Sequence, residues 1–133
     1  MDDYDRGGHT KYSLMVHLIF VTKYRKQLFY GKAADDVKQF LHDTANCIGV
    51  RIITMETDRD HVHMLLRYKP DMSISHIVSR LKQCSTHSMW KRHQVLLRRN
   101  YWKNKVLWSD GYFACSIGQV SQKTIERYIQ NQG

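Results

Sequence analysis

The chain has 133 residues, of which 42% are hydrophobic, and it carries a formal net charge of +9. This size suits one ordinary domain with a real core, and no apolar run approaches the length of a membrane span. Because residues 1–5 are acidic and polar, we do not expect them to act as a signal peptide. Three cysteines without Cys-x-x-Cys spacing indicate a reduced, cytoplasmic compartment.

The predicted elements are strands and helices recognised by the spacing of their apolar residues. Residues 13–23 are β-branched, aromatic and apolar on both faces, as expected of a central strand. Gly49 ends the first helix as a C-cap, and Ser73 begins the second as an N-cap. The predicted strands are 13–23, 50–56, 61–68 and 112–117, and the predicted helices are 31–49, one beginning after Ser73, and one from Ser121 to about Gln132. We expect residues 1–11 to be a loose tail and residues 93–111 to be irregular.

The resulting order, β-α-β-β-α-β-α, is the split βαβ, ferredoxin-like pattern. We therefore expect one α+β domain over residues 1–133, with a four-stranded antiparallel sheet and helices on one face, as in RNA-recognition domains. A further C-terminal helix follows. The first and third strands should lie side by side at the centre of the sheet.

The third predicted strand contains Asp60-His61-Val62-His63-Met64. Because side chains alternate along a strand, His61 and His63 should project from one face, about 7 Å apart by strand geometry. Both imidazoles could then bind one metal ion, while Val62 and Met64 anchor the strand in the core. The chain has eight histidines, so chance spacing is the alternative to a metal site.

The segment between Asp71 and Asp110 contains no acidic residue. Its basic and interleaved aromatic residues include Arg80, Lys82, Lys91, Arg92, Arg98, Arg99, Lys103, Lys105, Trp90, Tyr101, Trp102 and Trp108. Basic groups neutralise phosphates, and aromatic rings stack on unpaired bases. This pattern favours binding of nucleic acid, particularly single strands or hairpins, over a solvated basic face with the tryptophans in the core.

The last predicted helix carries Tyr128 and Gln132, four residues apart and therefore on one helix face. A tyrosine hydroxyl is a weak nucleophile unless a cation or base assists it. A metal on the histidine pair could orient a phosphodiester for attack by Tyr128, with the amide oxygen of Gln132 as a third ligand. The alternative is a surface tyrosine that packs beside neighbouring isoleucines, with an exposed glutamine near the helix end.

Together these pieces resemble the single-tyrosine HUH transposases of bacterial and archaeal insertion sequences, the IS200-like family. HUH denotes His-hydrophobic-His, here His61-Val62-His63. The other similar segments are Phe20-Val-Thr-Lys-Tyr-Arg25, Leu107-Trp-Ser-Asp-Gly-Tyr-Phe-Ala114 and Glu126-Arg-Tyr128-Ile-Gln-Asn-Gln132. The resemblance covers roughly residues 11–132, and family members often run slightly beyond the position of Gly133.

The resemblance implies a dimeric transposase that cuts and rejoins single-stranded DNA through a 5′-phosphotyrosine on Tyr128. His61, His63 and Gln132 would hold Mg²⁺ or Mn²⁺. Each active site could be completed in trans, with residues 118–120 as a hinge. The substrate would be DNA hairpins at element ends, encountered in the cytoplasm at the nucleoid. The candidate DNA contacts are Lys23, Tyr24, Arg25, Arg80, Lys82, Lys91, Arg92, Arg98 and Arg99.

Other functions are compatible with parts of this pattern. An HUH replication initiator nuclease shares the order of histidine pair before tyrosine, whereas relaxases usually place the tyrosine first. A transposase-like protein acting on repeated palindromes in a host genome would have the same catalytic residues. A non-catalytic RNA-recognition-type module should carry stacking aromatics on its central strands, where the third strand instead offers His61, His63 and Leu65.

Overall fold

The computed structural model describes residues 14–116 and 122–132. Its strands are β1 (Leu14–Val21), β2 (Arg51–Asp58), β3 (His61–Tyr68) and β4 (Phe113–Ser116). Its helices are α1 (Gly31–Ile48), α2 (Ile74–Arg92), α3 (Gln94–Asn100) and α4 (Gln122–Asn131), with a short 3₁₀ turn at Lys23–Arg25. Within these residues no helix has the length and apolar character needed to cross a membrane. The predicted tail, the proposed hinge and Ser121 lie outside the described residues.

The four strands form one antiparallel sheet in the order β2-β3-β1-β4. The α+β class and the central position of β1 and β3 are therefore confirmed. In the register between these two strands, Ile19 lies opposite His63 and Val21 lies opposite His61. This register decides which β1 side chains neighbour the histidine pair.

The two faces of the sheet carry different partners. One face forms the main core with α1 and α2. Its buried residues on the central strands are Val16, Leu18, Phe20, Val62, Met64 and Leu66. On the opposite face, Ile19 and Val21 are fully buried beneath Phe113, Tyr128 and Ile129. The last two belong to α4, so the C-terminal helix covers the face that α1 and α2 leave open.

The predicted helix ends match the structure. Gly49 adopts a left-handed φ of 81° and ends α1, a conformation that a residue with a Cβ rarely adopts. Ser73 caps α2 because its hydroxyl oxygen accepts a hydrogen bond from the backbone N–H of His76 at 3.1 Å.

Two predicted boundaries are wrong. Residues 93–111 are not irregular throughout, because 94–100 form α3, a helix of about two turns. Such a short helix cannot show a periodic apolar stripe, and of its residues Leu97 is the one that the core buries. β2 also extends to Asp58, so the hairpin turn is Arg59 and Asp60 alone. Asp60 therefore lies in the turn directly before β3, beside the histidine pair.

Candidate active site

The histidine pair lies where strand alternation predicts. His61 and His63 are partly buried on the α4 side of β3, while Val62 and Met64 are fully buried in the main core. The two apolar side chains fix the strand, and the strand fixes the two imidazoles on one face.

Asp60 orients the first of these imidazoles. Its Oδ1 lies 2.9 Å from Nδ1 of His61, so the ring donates its Nδ1 proton to the carboxylate and leaves Nε2 available. Burial would raise the pKa of Asp60, but hydrogen bonds from His61 and Arg25 outweigh it and hold that pKa below its usual value. Asp60 is thus a carboxylate at neutral pH. Sequence reasoning assigned it no role, although an acidic residue directly before the first histidine was a visible signal.

The second imidazole is favoured in its neutral form. Burial, reinforced by the neighbouring His17, lowers the pKa of His63. The His17 and His63 ring centroids are 5.9 Å apart, and Nδ1 of His17 is buried without a hydrogen-bond partner among the described residues. A neutral imidazole is the form that binds a metal. His17 was missed from sequence because its proximity depends on the β1–β3 register.

Tyr128 lies on the same face as the histidine pair. It packs against Ile19, Val21 and Phe113, and its ring centroid is 5.2 Å from that of Phe113. Its hydroxyl is buried and has no hydrogen-bond partner among the described residues. Burial raises the pKa of Tyr128 to about 12. The phenol is therefore protonated at neutral pH and packed against the sheet beside Ile129, and its role as nucleophile stays a prediction.

Gln132 is held by the segment that precedes β4. The hydroxyl of Ser109 donates to Oε1 of Gln132 at 3.1 Å, and the backbone N–H of Gln132 donates to the carbonyl of Tyr128 at 3.2 Å. An amide oxygen has two lone pairs, so Oε1 keeps one for a further partner. Ser109 was not predicted as a positioning residue, although its Trp-Ser-Asp-Gly context was singled out.

The candidate donors for a metal are the two imidazoles of His61 and His63 and the neutral amide oxygen of Gln132. In the described part of the chain, no group of three or more His, Cys, Asp or Glu side chains is placed to hold a metal. A third protein ligand from these residues would have to be another kind of donor, and the amide oxygen of Gln132 is the candidate predicted from sequence. Two nitrogen donors and one oxygen donor leave coordination positions open for substrate. Such a ligand set suits a catalytic site for a divalent metal ion.

Side chains of α2 hold the segment 107–111 in place. The ammonium of Lys82 donates to the backbone carbonyls of Ser109 and Gly111, each at 2.8 Å, and lies 3.4 Å from that of Asp110. The indole of Trp108 donates to the hydroxyl of Ser85 at 2.9 Å. Lys82, predicted as a DNA contact, thus has its donors engaged within the protein.

This arrangement predicts different effects for two lysines of α2. Lys82→Met should lower the free energy of unfolding by roughly 1–3 kcal/mol, because the partly buried carbonyl of Ser109 and the exposed carbonyl of Gly111 lose a charged donor. Exposed Lys91 offers the matched control, since Lys91→Met should change stability by about 0.5 kcal/mol or less. Urea denaturation of both variants measures the difference, and equal stabilities would show that the Lys82 contacts contribute nothing.

The other basic and aromatic candidates are divided between surface and core. Trp90, Tyr101 and Trp108 are buried, so they cannot stack on bases as the sequence suggested. Trp102 and Tyr24 remain exposed, by 76% and 63%. The remaining candidate arginines and lysines of this stretch are all exposed: Arg80, Lys91, Arg92, Arg98 and Arg99. Arg92 also lies 3.6 Å from the buried carboxylate of Asp36.

A groove of about 720 Å³ runs between α2 and residues 105–110. Its basic lining residues are Lys82, His87, Lys91 and Lys105, and its acidic one is Asp110. Trp90 and Trp108 also line the groove. The groove is therefore mainly cationic, and it ends at the segment that holds Gln132.

Comparison with known proteins decides the family. Residues 10–132 match the family model described as "Transposase IS200 like". The chain belongs to the IS200-like transposase family. This IS200-like transposase is 36% identical over 127 residues to the ISDra2 transposase TnpA of Deinococcus radiodurans, covering 96% of this chain and 89% of the relative. It is also 33% identical over 132 residues to the transposase for insertion sequence element IS200 of Salmonella typhimurium, covering 99% and 85% of the two chains.

Solved structures support the same assignment. A crystal structure of a protein from Deinococcus radiodurans R1, assigned as a transposase, superposes with a TM-score of 0.88 at 32% identity, covering 97% of this chain and 98% of that chain. A REP-associated tyrosine transposase bound to a REP hairpin superposes with a TM-score of 0.57 at 14% identity, covering 97% and 68%. The second likeness concerns the fold of this IS200-like transposase alone. The family resemblance predicted from the sequence is confirmed.

Proposed function

We propose that this protein cleaves and rejoins single-stranded DNA, with Tyr128 as the nucleophile. One observation carries the proposal: Tyr128 packs on Ile19 and Val21, the β1 residues that lie directly opposite His63 and His61. The phenol and the two imidazoles therefore belong to one surface. The names of the relatives, which are transposases of insertion sequences, support the same chemistry.

The proposed cleavage step is a transesterification. The phenolic oxygen of Tyr128 attacks the scissile phosphorus, a new O–P bond forms, and the bond from phosphorus to the 3′-oxygen breaks. The phenol loses its proton to solvent, and the leaving 3′-oxygen gains one to become a hydroxyl. The 5′-phosphate remains on the tyrosine, so the energy of the phosphodiester is conserved. Attack by a 3′-hydroxyl from another end reverses the step and reseals the strand.

We propose that His61, His63 and Gln132 hold Mg²⁺ or Mn²⁺. When bound, such an ion supplies Lewis-acid stabilisation and a template for the phosphate. The protein's part is to orient His61 through Asp60, to favour the neutral form of His63, and to hold the amide oxygen of Gln132 through Ser109. Because the buried phenol is a poor nucleophile, Tyr128 must leave its contact with Phe113 or gain a cation beside it before it reacts.

The substrate proposed is DNA with hairpin-forming ends. The REP-associated relative in fold is bound to a hairpin, and the cationic groove beside the site offers phosphate contacts here. In the single chain, α4 packs on its own sheet, which supports a site built in cis. The homodimer with sites completed in trans remains a prediction. A non-catalytic module is disfavoured because α4 covers the face that would bind bases.

The proposal is tested by incubating the protein with single-stranded DNA that carries a palindromic end, with and without Mg²⁺ or Mn²⁺. We expect a protein–DNA adduct that survives denaturation, forms only with the metal and requires the palindrome. Tight DNA binding with no adduct under either metal would contradict the proposal and favour a binding module.

The groove predicts a specific salt dependence. Lys105→Gln should weaken DNA binding and lower the slope of log affinity against log salt by about 1, as expected when one phosphate contact is lost. Lys38→Gln, on α1 and away from the groove, is the control with the same charge change. Fluorescence anisotropy at several salt concentrations measures both slopes. Identical slopes for Lys105→Gln and Lys38→Gln would show that the groove does not contact the DNA.

A further inference from the structure

The 3₁₀ turn after β1 has an unusual backbone. Tyr24 and Arg25 are consecutive residues with positive φ, 60° and 53°, and neither is glycine. Residues with a Cβ are disfavoured in this region, and they keep it where surrounding contacts impose it, often at functional sites. Here the backbone N–H of Lys23 donates to the carbonyl of Leu107 at 2.8 Å, and the Thr22 hydroxyl donates to the carbonyl of Lys26 at 2.7 Å. The turn is thus held from both ends.

The turn directs the Arg25 side chain towards the carboxylate of Asp60 and the C-terminal end of α4. Its Nε donates to Oδ2 of Asp60 at 3.1 Å, and its Nη1 lies 3.5 Å from the carbonyl oxygen of Gln130. Gln130 lies in the last turn of α4, where carbonyls have no partner within the helix. The last turn of α4 contains no basic residue of its own. Arg25 therefore supplies the cation that a helix C-terminus favours.

Asp60 shares its two oxygens between the arginine and the metal-site histidine. Oδ1 accepts from His61 and Oδ2 accepts from Arg25. A continuous series of polar contacts therefore runs from His61 through Asp60 and Arg25 to the end of the tyrosine helix. The planar guanidinium can make both contacts at once, which a lysine ammonium at the same position cannot match.

We infer that Arg25 is a positioning residue that ties the tyrosine helix to the histidine pair through Asp60. The inference rests on the proposed function, since the tie matters only if Tyr128 reacts beside His61 and His63. It assigns Arg25 a role within the protein, in place of the DNA contact predicted from sequence.

The test compares Arg25→Gln with Arg59→Gln. Arg59 is exposed, is adjacent to Asp60 and lies over the ring of Tyr30, so it matches the charge change with no hydrogen bond or ion pair to the described side chains of α4. Hydrogen exchange of the α4 amides should become about tenfold faster in Arg25→Gln, as loss of a charged helix-end contact predicts. Exchange should be unchanged in Arg59→Gln. Arg25→Lys should recover part of the protection. Equal exchange in the Gln variants would overturn the inference.

A kinetic measurement separates positioning from DNA binding. In Arg25→Gln we expect a slower single-turnover rate of adduct formation at saturating DNA, with unchanged DNA affinity. Its effect should not add to that of Asp60→Asn, because both break one series of contacts. Lower affinity with an unchanged saturated rate would instead make Arg25 a DNA contact. If the wild-type protein forms no adduct, the proposed function fails, and hydrogen exchange still decides whether the tie exists.

Discussion

Tyr128→Phe is expected to abolish the covalent protein–DNA adduct and leave the fold at least as stable as the wild type. The adduct rate should fall by at least about 10³-fold, because the variant has no oxygen to attack phosphorus. Stability should not fall, since the hydroxyl is buried without a partner among the described residues. Removing an unsatisfied buried hydroxyl should raise the free energy of unfolding by up to about 1 kcal/mol. Gel analysis of the adduct and urea denaturation measure the two effects.

Tyr101→Phe is the matched control for this prediction. The Tyr101 hydroxyl donates to the carbonyl of Lys23 at 2.8 Å. Its loss should therefore lower the free energy of unfolding by about 1 kcal/mol, and the adduct should still form. An adduct that persists in Tyr128→Phe would show that another group is the nucleophile. Destabilisation of Tyr128→Phe equal to that of Tyr101→Phe would show that the Tyr128 hydroxyl has a partner in solution.

His61→Ala and His63→Ala should each remove most of the divalent-metal affinity and slow adduct formation by about 10²–10³-fold. Each substitution deletes one of the two imidazoles that β3 presents on the α4 face. Because burial and the neighbouring His17 lower the pKa of His63, its lone pair is available at neutral pH and its loss is not masked by protonation. Calorimetric titration with Mn²⁺ measures the affinity, and gel analysis measures the rate.

His76→Ala is the control for metal binding, because His76 is exposed at the start of α2, on the opposite side of the sheet. It should bind Mn²⁺ and react like the wild type. If the double variant His61→Ala/His63→Ala kept its Mn²⁺ affinity and its rate, the ion would have to bind elsewhere. The two imidazoles would then have only a structural role.

The residues that sequence could predict are those governed by local periodicity. Alternation along β3 placed His61 and His63 on one face, and helical spacing placed Tyr128 and Gln132 one turn apart. The helix caps Gly49 and Ser73 followed from their own conformational preferences. These features depend on neighbours a few residues away, so a single sequence contains them.

The roles that sequence missed depend on contacts between distant segments. Arg25 reaches Asp60 across 35 positions and Gln130 across 105, and it does so from a backbone conformation that no propensity predicts. His17 neighbours His63 only through the strand register. The stacking role predicted for the aromatic residues of the basic stretch was wrong for those that are buried, because composition cannot distinguish exposed Trp102 from a buried indole such as Trp90. Tertiary packing determines which of these aromatic side chains are buried and which are exposed.

The central claim is that one tyrosine beside the histidine pair becomes linked to DNA. The chain has eight tyrosines, so the direct measurement is to isolate the adduct, digest both components and locate the attached nucleotide by mass spectrometry. We expect the nucleotide on Tyr128 through its 5′-phosphate, with the other tyrosines unmodified. A nucleotide on any other residue, such as exposed Tyr24, or a linkage through a 3′-phosphate would contradict the account.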